Sequence, residues 1–241
     1  MNAQYIELAK MIDHALLAPH LSATEVDAGI ELARAYDVAS VCIMPCYVTR
    51  CADLLRGSTV KTSTVIGFPL GVNTTAIKRA EATRALADGC QELDMVVNIS
   101  SVISGCWGEV TDDIAAVIDV AHQIDRKIKV IFENCYLSDE QKVRLCQICS
   151  ELNADWIKTS TGFGSGGATH EDLRLMRRWA APHVQIKAAG GVRDLAGLQA
   201  VRELGVTRCG ASRTREILDP LRNQLGLPAI KIAAQSAPAD Y

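Results

Sequence analysis

Eight short apolar runs, each followed by a stretch of helical character, recur along this chain and leave few ways for it to fold. The runs cover residues 11–14, 38–44, 62–68, 92–98, 128–133, 156–159, 184–188 and 208–210. Most are continuously apolar at their centres rather than alternating, as parallel strands covered on both faces must be. Amphipathic stretches lie between them, among them 22–35, 74–87, 112–124, 138–152 and 194–203. Ser22 is followed three residues on by Glu25, and Ser138 by Gln141, which marks two helix starts. No two runs are joined by a two-residue hairpin turn. The rhythm therefore predicts an α/β chain closed into a single (β/α)8 TIM barrel, one domain over residues 1–241. An open doubly wound sheet is the alternative, but no Gly-x-Gly-x-x-Gly follows the first run. Residues 233–241 read as a mobile tail, being small and polar from Gln235 to Tyr241.

Composition narrows the function classes. A net charge of -3 argues against a nucleic-acid surface, which carries a basic excess. No apolar run has the length needed to span a bilayer, so no membrane partner is expected. The opening residues lack the basic segment and apolar core of a secretory signal. Nine cysteines spread through apolar segments then read as reduced, buried thiols of a cytoplasmic protein. Cys146 and Cys149 have Cys-x-x-Cys spacing, but on a helix they share an apolar face and no second ligand pair accompanies them. Cys42 reads as a small residue lining a pocket, and Cys46 and Cys51 as packing. The five histidines form no His-x-His or His-x-x-x-His pair, so no metal is expected. Arg174, Arg177 and Arg178 read as a solvated helix face.

Chemistry concentrates where the runs end. In a barrel of this kind the C-terminal strand ends build the active site. Here those ends carry His14, Cys42, Asn98, Glu133, Lys158, Lys187 and Ser212. Alternation places Asp94, Val96 and Asn98 on one face, and Lys129, Ile131 and Glu133 on another. With those faces inward, the interior holds Asp94, Lys129, Glu133, Lys158 and Lys187. Buried charges persist only when paired, so this is a mixed-sign cluster or the register is different. A purely structural ion-pair network is the bland alternative. Two lysines closing buried strands suggest instead that one ammonium depresses the pKa of the other, which yields a nucleophilic amine. Gly190 and Gly191 after the seventh run, and Gly210, Ala211, Ser212 and Arg213 after the eighth, would let backbone amides approach a phosphate.

Several segments also carry a family resemblance: Ile12-Asp13-His14-Ala15-Leu16-Leu17, Val65-Ile66-Gly67-Phe68-Pro69-Leu70-Gly71, Glu92-Leu93-Asp94-Met95-Val96, Lys158-Thr159-Ser160-Thr161-Gly162 and Lys187-Ala188-Ala189-Gly190-Gly191. In this order they resemble the deoxyribose-phosphate aldolases, from residue 12 to about 215. The resemblance implies a cofactor-free class I aldolase that reversibly cleaves 2-deoxyribose 5-phosphate to acetaldehyde and glyceraldehyde 3-phosphate. It implies Lys158 as the Schiff-base nucleophile, Lys187 as the neighbouring cation that keeps Lys158 neutral, and Asp94 as the carboxylate that moves protons through a water. Cys42 and Lys129 would support them. Gly162, Gly190, Gly191, Gly210 and Ser212 match phosphate-contact positions. Arg213 stands where many members have a second serine, and Ala15 where the family usually has threonine. Tyr241 matches the terminal tyrosine that some members use in proton transfer. The implied partners are a phosphorylated sugar and an aldehyde, and the family often forms homodimers. A related Schiff-base aldolase with another acceptor, and a non-catalytic sugar-phosphate-binding barrel, stay open as alternatives.

Overall fold

The computed structural model describes residues 2–232, so the tail 233–241 and its Tyr241 lie outside the described residues. Helix α1 (Ala3–Ala9) precedes the first strand, β1 (Ile12–Leu16). There follow α2 (Ala23–Ala35), β2 (Ser40–Ile43), α3 (Val48–Leu54), β3 (Lys61–Ile66), α4 (Thr75–Ala87) and β4 (Glu92–Val96). The chain continues through α5 (Ile99–Ile103), α6 (Trp107–His122), β5 (Lys127–Ile131), α7 (Asp139–Glu151), β6 (Trp156–Lys158) and α8 (His170–Trp179). It ends with β7 (Gln185–Ala189), α9 (Leu195–Glu203), β8 (Arg208–Ala211) and α10 (Thr214–Gln224). The eight strands pair in sequence order, all parallel, and β8 returns to β1 to close the barrel. The predicted architecture is the observed one.

Local sequence accounts for most element ends. Both expected capping boxes form, Ser22 with Glu25 and Ser138 with Gln141. The fifth strand stops at Ile131, short of the predicted 133, because Glu133 takes a left-handed conformation (φ 59°). Helix α6 starts at Trp107, five residues before the predicted 112. Asp113 in this helix is buried against a lysine of the neighbouring helix. That lysine, Lys78, is fully buried, donates to Asp113 at 2.5 Å and to the Val96 carbonyl at 2.9 Å, and so ties α4 and α6 to the end of β4. Gly67 leaves room for it, since a Cβ there would sit 2.8 Å from the Lys78 Cε.

The apolar core lies between the strands and the ring of helices. The barrel interior is different. The register stacks inward side chains in four layers, drawn alternately from even and odd strands. From the N-terminal end they are Ser40, Glu92, Trp156 and Arg208; then Asp13, Ser63, Lys129 and Lys187; then Cys42, Asp94, Lys158 and Gly210; then Ala15, Val65, Ile131 and Ala189. Barrels of this class usually fill such layers with branched aliphatics. Here the first three layers hold seven charged side chains in twelve positions, so the centre of the barrel is given over to charge.

Candidate active site

Four of the five residues expected inside the barrel meet there. Lys158 and Lys187 each donate to Oδ2 of Asp94 at 2.8 Å, so their nitrogens are no further apart than twice that distance. Lys129 donates to the other oxygen, Asp94 Oδ1, at 2.9 Å. All four side chains are buried. Every polar atom of Asp94 is thus taken up by an ammonium, and its carboxyl is held far below the usual range. Burial alone would raise that carboxyl; Lys129, Lys158 and Lys187 together outweigh it.

The cluster extends through the two lower layers to residues that the strand-end reading did not reach. Asp13 accepts from Lys187 at 2.6 Å, from Arg208 at 2.5 Å and from the Ser40 hydroxyl at 2.6 Å. Glu92 accepts from Lys129 at 2.7 Å and from both terminal nitrogens of Arg208, at 3.1 and 3.0 Å. The Trp156 ring covers this floor, 5.0 Å from the Arg208 guanidinium and 5.7 Å from the Lys129 nitrogen. Alternation carried a usable signal: Asp13 lies two residues before Ala15, and Glu92 two before Asp94, on the same inward faces.

Three carboxylates (Asp13, Glu92 and Asp94) face four bases (Lys129, Lys158, Lys187 and Arg208). A buried cluster tends to neutrality, so one base gives up its proton. Lys158 is the one whose pKa is lowered. Burial is the largest cause, Asp94 opposes it, and the Lys187 charge lowers it further. Desolvation therefore contributes more than the like charge that the sequence pattern brings to mind. Lys187 moves the other way: burial would lower it, but Asp13 and then Asp94 hold its proton on. Lys129 is raised well above an ordinary lysine, where Asp13, Asp94 and Glu92 outweigh its burial.

Above the lysines opens a cavity of about 110 Å³. Lys158 and Lys187 form its base, with Ala15, Leu17 and Cys42 on one wall. The other wall is the expected set of Gly162, Gly190, Gly191, Gly210, Ser212 and Arg213, joined by Arg193, which the sequence reading did not single out. Cys42 is buried with its thiol pKa raised, chiefly by burial, and is the pocket-lining residue expected. Lys129 supports from below and does not line the cavity. Gly190 and Gly191 both have positive φ (77° and 101°), which turns the chain sharply after β7. Gly190 lies against Gly167, so close that a Cβ on it would sit 2.8 Å from the Gly167 Cα.

Other strand-end residues go elsewhere. Glu133 does not join the lysines, because its left-handed backbone breaks the strand alternation. Its carboxylate accepts from the Thr161 N–H at 3.0 Å and from the Thr161 hydroxyl, bracing the loop that carries Gly162. His14 points outward between inward Asp13 and Ala15, and its Nδ1 meets the Thr214 hydroxyl at the start of α10, 2.9 Å away. Asn98 caps α5 through the Ser101 N–H. Cys46 is exposed rather than packed, whereas Cys51 is buried. Arg177 is not on a solvated face: it donates to the carbonyls of Val184, Ala180 and Ala181. Among the described residues no His, Cys, Asp and Glu group has the arrangement of a metal site, and no helix is long and apolar enough to cross a membrane.

Comparison with known proteins gives a consistent picture. The profile of the family described as "DeoC/LacD family aldolase" matches residues 7–216. A deoxyribose-phosphate aldolase of Rhodopirellula baltica is 62% identical over 231 residues, 96% of each chain. One from Caldanaerobacter subterraneus subsp. tengcongensis is 45% identical, covering 91% of this chain and 95% of its own. Among solved structures, the tetrameric deoxyribose phosphate aldolase of Aeropyrum pernix superposes with a TM-score of 0.84 at 27% identity, over 91% of this chain and 93% of the other.

Proposed function

The chain belongs to the DeoC/LacD family of aldolases, and from that premise we propose that Lys158 is the amine that attacks the substrate carbonyl. The reaction is that of a deoxyribose-phosphate aldolase, a carbon–carbon lyase. It reversibly cleaves 2-deoxy-D-ribose 5-phosphate to acetaldehyde and D-glyceraldehyde 3-phosphate through a lysine Schiff base. The observation that carries the assignment is the Asp94 oxygen shared by two lysines that line the cavity, with Lys158 the base whose proton is weakly held.

The neutral Lys158 amine adds to C1 of the open-chain sugar, and the resulting carbinolamine loses water to give the iminium. Asp94 and Lys187 pass the protons that this exchange needs, through a water, since Asp94 Oδ2 accepts from the nucleophile and from Lys187 alike. The C2–C3 bond then breaks. Its electron pair moves into the iminium to form the enamine, while the C3 hydroxyl gives up its proton and becomes the aldehyde of glyceraldehyde 3-phosphate. Protonation of the enamine at C2 and hydrolysis release acetaldehyde and return Lys158. An ordinary amine, with a pKa near 10.4, is mostly protonated at neutral pH, so the lowered Lys158 is what makes the first step possible.

The phosphate sits on the opposite wall. Backbone amides of Gly162, Gly190, Gly191 and Gly210, the Ser212 hydroxyl and the Arg213 guanidinium would receive it at the entry to α10. Arg213 and Ala15 both line the cavity and favour a second reading, a related aldolase with a different aldehyde or acid acceptor. A preference for phosphorylated over free deoxyribose of under about tenfold in kcat/KM, roughly 1.4 kcal/mol, would favour that reading. A homodimer acting in the cytoplasm, where nine unpaired thiols stay reduced, is part of the same proposal. The nucleophile is tested by incubating the protein with deoxyribose 5-phosphate and borohydride. A stable adduct on Lys158 by peptide mass spectrometry is expected, and an adduct on Lys187 or Lys129 would refute the assignment.

A further inference from the structure

We propose that Arg208 is a positioning residue for the aldol reaction. Partly buried in the lowest layer of the barrel interior, its guanidinium occupies Asp13 and Glu92 and thereby decides which lysine of the layers above is the neutral one. The inference rests on the reading of Lys158 as the nucleophile.

Arg208 does not line the cavity; of its two carboxylate partners Asp13 does and Glu92 does not. It reaches Oδ1 of Asp13 at 2.5 Å and bridges both oxygens of Glu92. That leaves Oδ2 of Asp13 for Lys187, and Oε2 of Glu92 shared with Lys129. A guanidinium stays protonated in proteins, so Arg208 contributes a fixed positive charge. With Arg208, Lys129 and Lys187 cationic, the three carboxylates are balanced and Lys158 needs no proton. Without the Arg208 charge, the same three carboxylates are balanced only when Lys158 is an ammonium, and an ammonium cannot attack a carbonyl.

The groups around Lys158 are Asp94 from β4, Lys129 from β5, Lys187 from β7 and Cys42 from β2. Arg193 and Arg213 share the cavity at its other wall. Around Arg208 stand Asp13 from β1, Glu92 from β4, Lys187 beside it on β7 and the ring of Trp156 from β6. Of these, only Asp13 and Glu92 touch Arg208 with opposite charge. The chain of influence therefore runs from Arg208 through two carboxylates to the three lysines.

Opposite charge changes on one ion pair supply the test. The pH dependence of kcat/KM is measured for the full chain and for the R208Q, E92Q, R208Q/E92Q and R208K variants. Borohydride trapping locates the adduct in each. R208Q removes a positive charge and should move the acid limb of the profile upward by about one unit or more, and E92Q should move it downward. The double variant should fall between the two singles, and R208K should stay near the parent enzyme. Should R208Q fail to fold, the opposite shift of E92Q and its reversal in the double variant carry the same information. Shifts in the same direction, or limbs that do not move while the adduct stays on Lys158, overturn the role of Arg208. An adduct away from Lys158 in the parent enzyme overturns the nucleophile assignment itself, and this inference with it.

Discussion

Lys158 and Lys187 donate to one and the same oxygen, Oδ2 of Asp94, each at 2.8 Å. One carboxylate oxygen cannot fully compensate two desolvated ammoniums, so the pair is stable with a single proton too few. The second contact of Lys187, Asp13 at 2.6 Å, settles the contest in its favour. Lys158 has no second carboxylate, and that asymmetry is what singles it out as the proposed nucleophile.

Replacing Lys187 with Leu removes the like charge that lowers Lys158 and leaves Oδ2 of Asp94 to Lys158. The acid limb of the pH–rate profile should move upward, with activity at neutral pH reduced by up to about tenfold for a shift of one unit. A profile superimposable on that of the parent enzyme would remove Lys187 from this role.

Asp94→Asn should be costly twice. It leaves Lys129, Lys158 and Lys187 crowded around an uncharged amide, which should lower stability by about 3–5 kcal/mol in urea titrations. It also removes the proposed proton-transfer group, so the residual protein should be inactive over the whole accessible pH range. Full stability together with activity near that of the parent enzyme would contradict both roles.

Glu133→Gln tests the loop that presents Gly162. A glutamine amide cannot accept both Thr161 contacts, and losing one at a buried site costs about 1–3 kcal/mol. KM for the phosphorylated sugar should rise while borohydride still traps Lys158. An unchanged KM would mean that this brace has no part in holding the substrate.

Gly190→Ala tests the turn after β7. Its φ of 77° disfavours any side chain, and the added Cβ would press on the Gly167 Cα at 2.8 Å. The strained conformation alone costs about 1 kcal/mol, and the contact adds to it. Thermal unfolding should fall by several degrees, whereas Gly210→Ala, whose Cβ would meet its neighbours at an ordinary 3.5 Å, should be milder. Equal losses at the two sites would refute this reading of the glycines.

His14 sets a pH dependence of stability that is separate from catalysis. Its burial lowers its pKa to about 4 from an ordinary 6.5, so folding keeps it neutral. A depressed folded value means that the stabilisation is fully present above pH 6.5 and is lost as pH falls through about 4. The loss is on the order of 3 kcal/mol across that window. In His14→Gln, which keeps a hydrogen-bonding group towards Thr214, the slope in this window should flatten. The same slope in both proteins would exclude His14 as its source.

The barrel and the lysine pair were legible in the sequence for different reasons. Strand order needed only the apolar rhythm and the absence of hairpin turns, because a parallel pair needs a crossover and the crossovers here are helices. Lys158 and Lys187 stood out because a charge at the end of a buried strand is costly without a purpose. Glu133 misled because alternation assumes extended backbone, and its left-handed conformation ends that assumption two residues past β5. His14 misled because a strand end presents its residues to opposite sides in turn, and only Asp13 and Ala15 face inward.

What the sequence by itself determined is the inventory and its order: eight parallel strands, two lysines and an aspartate at strand ends, and glycine turns behind the last two. Tertiary structure alone decided who pairs with whom. Asp13 and Lys187 are 174 positions apart, and Arg208 and Glu92 are 116 apart. Such pairs meet only because barrel closure and strand stagger bring alternate strands into one layer. Protonation follows from that meeting, since the proton a buried base keeps depends on the charges within a few ångströms of it and on the water it has lost, and neither distance nor desolvation is written along the chain.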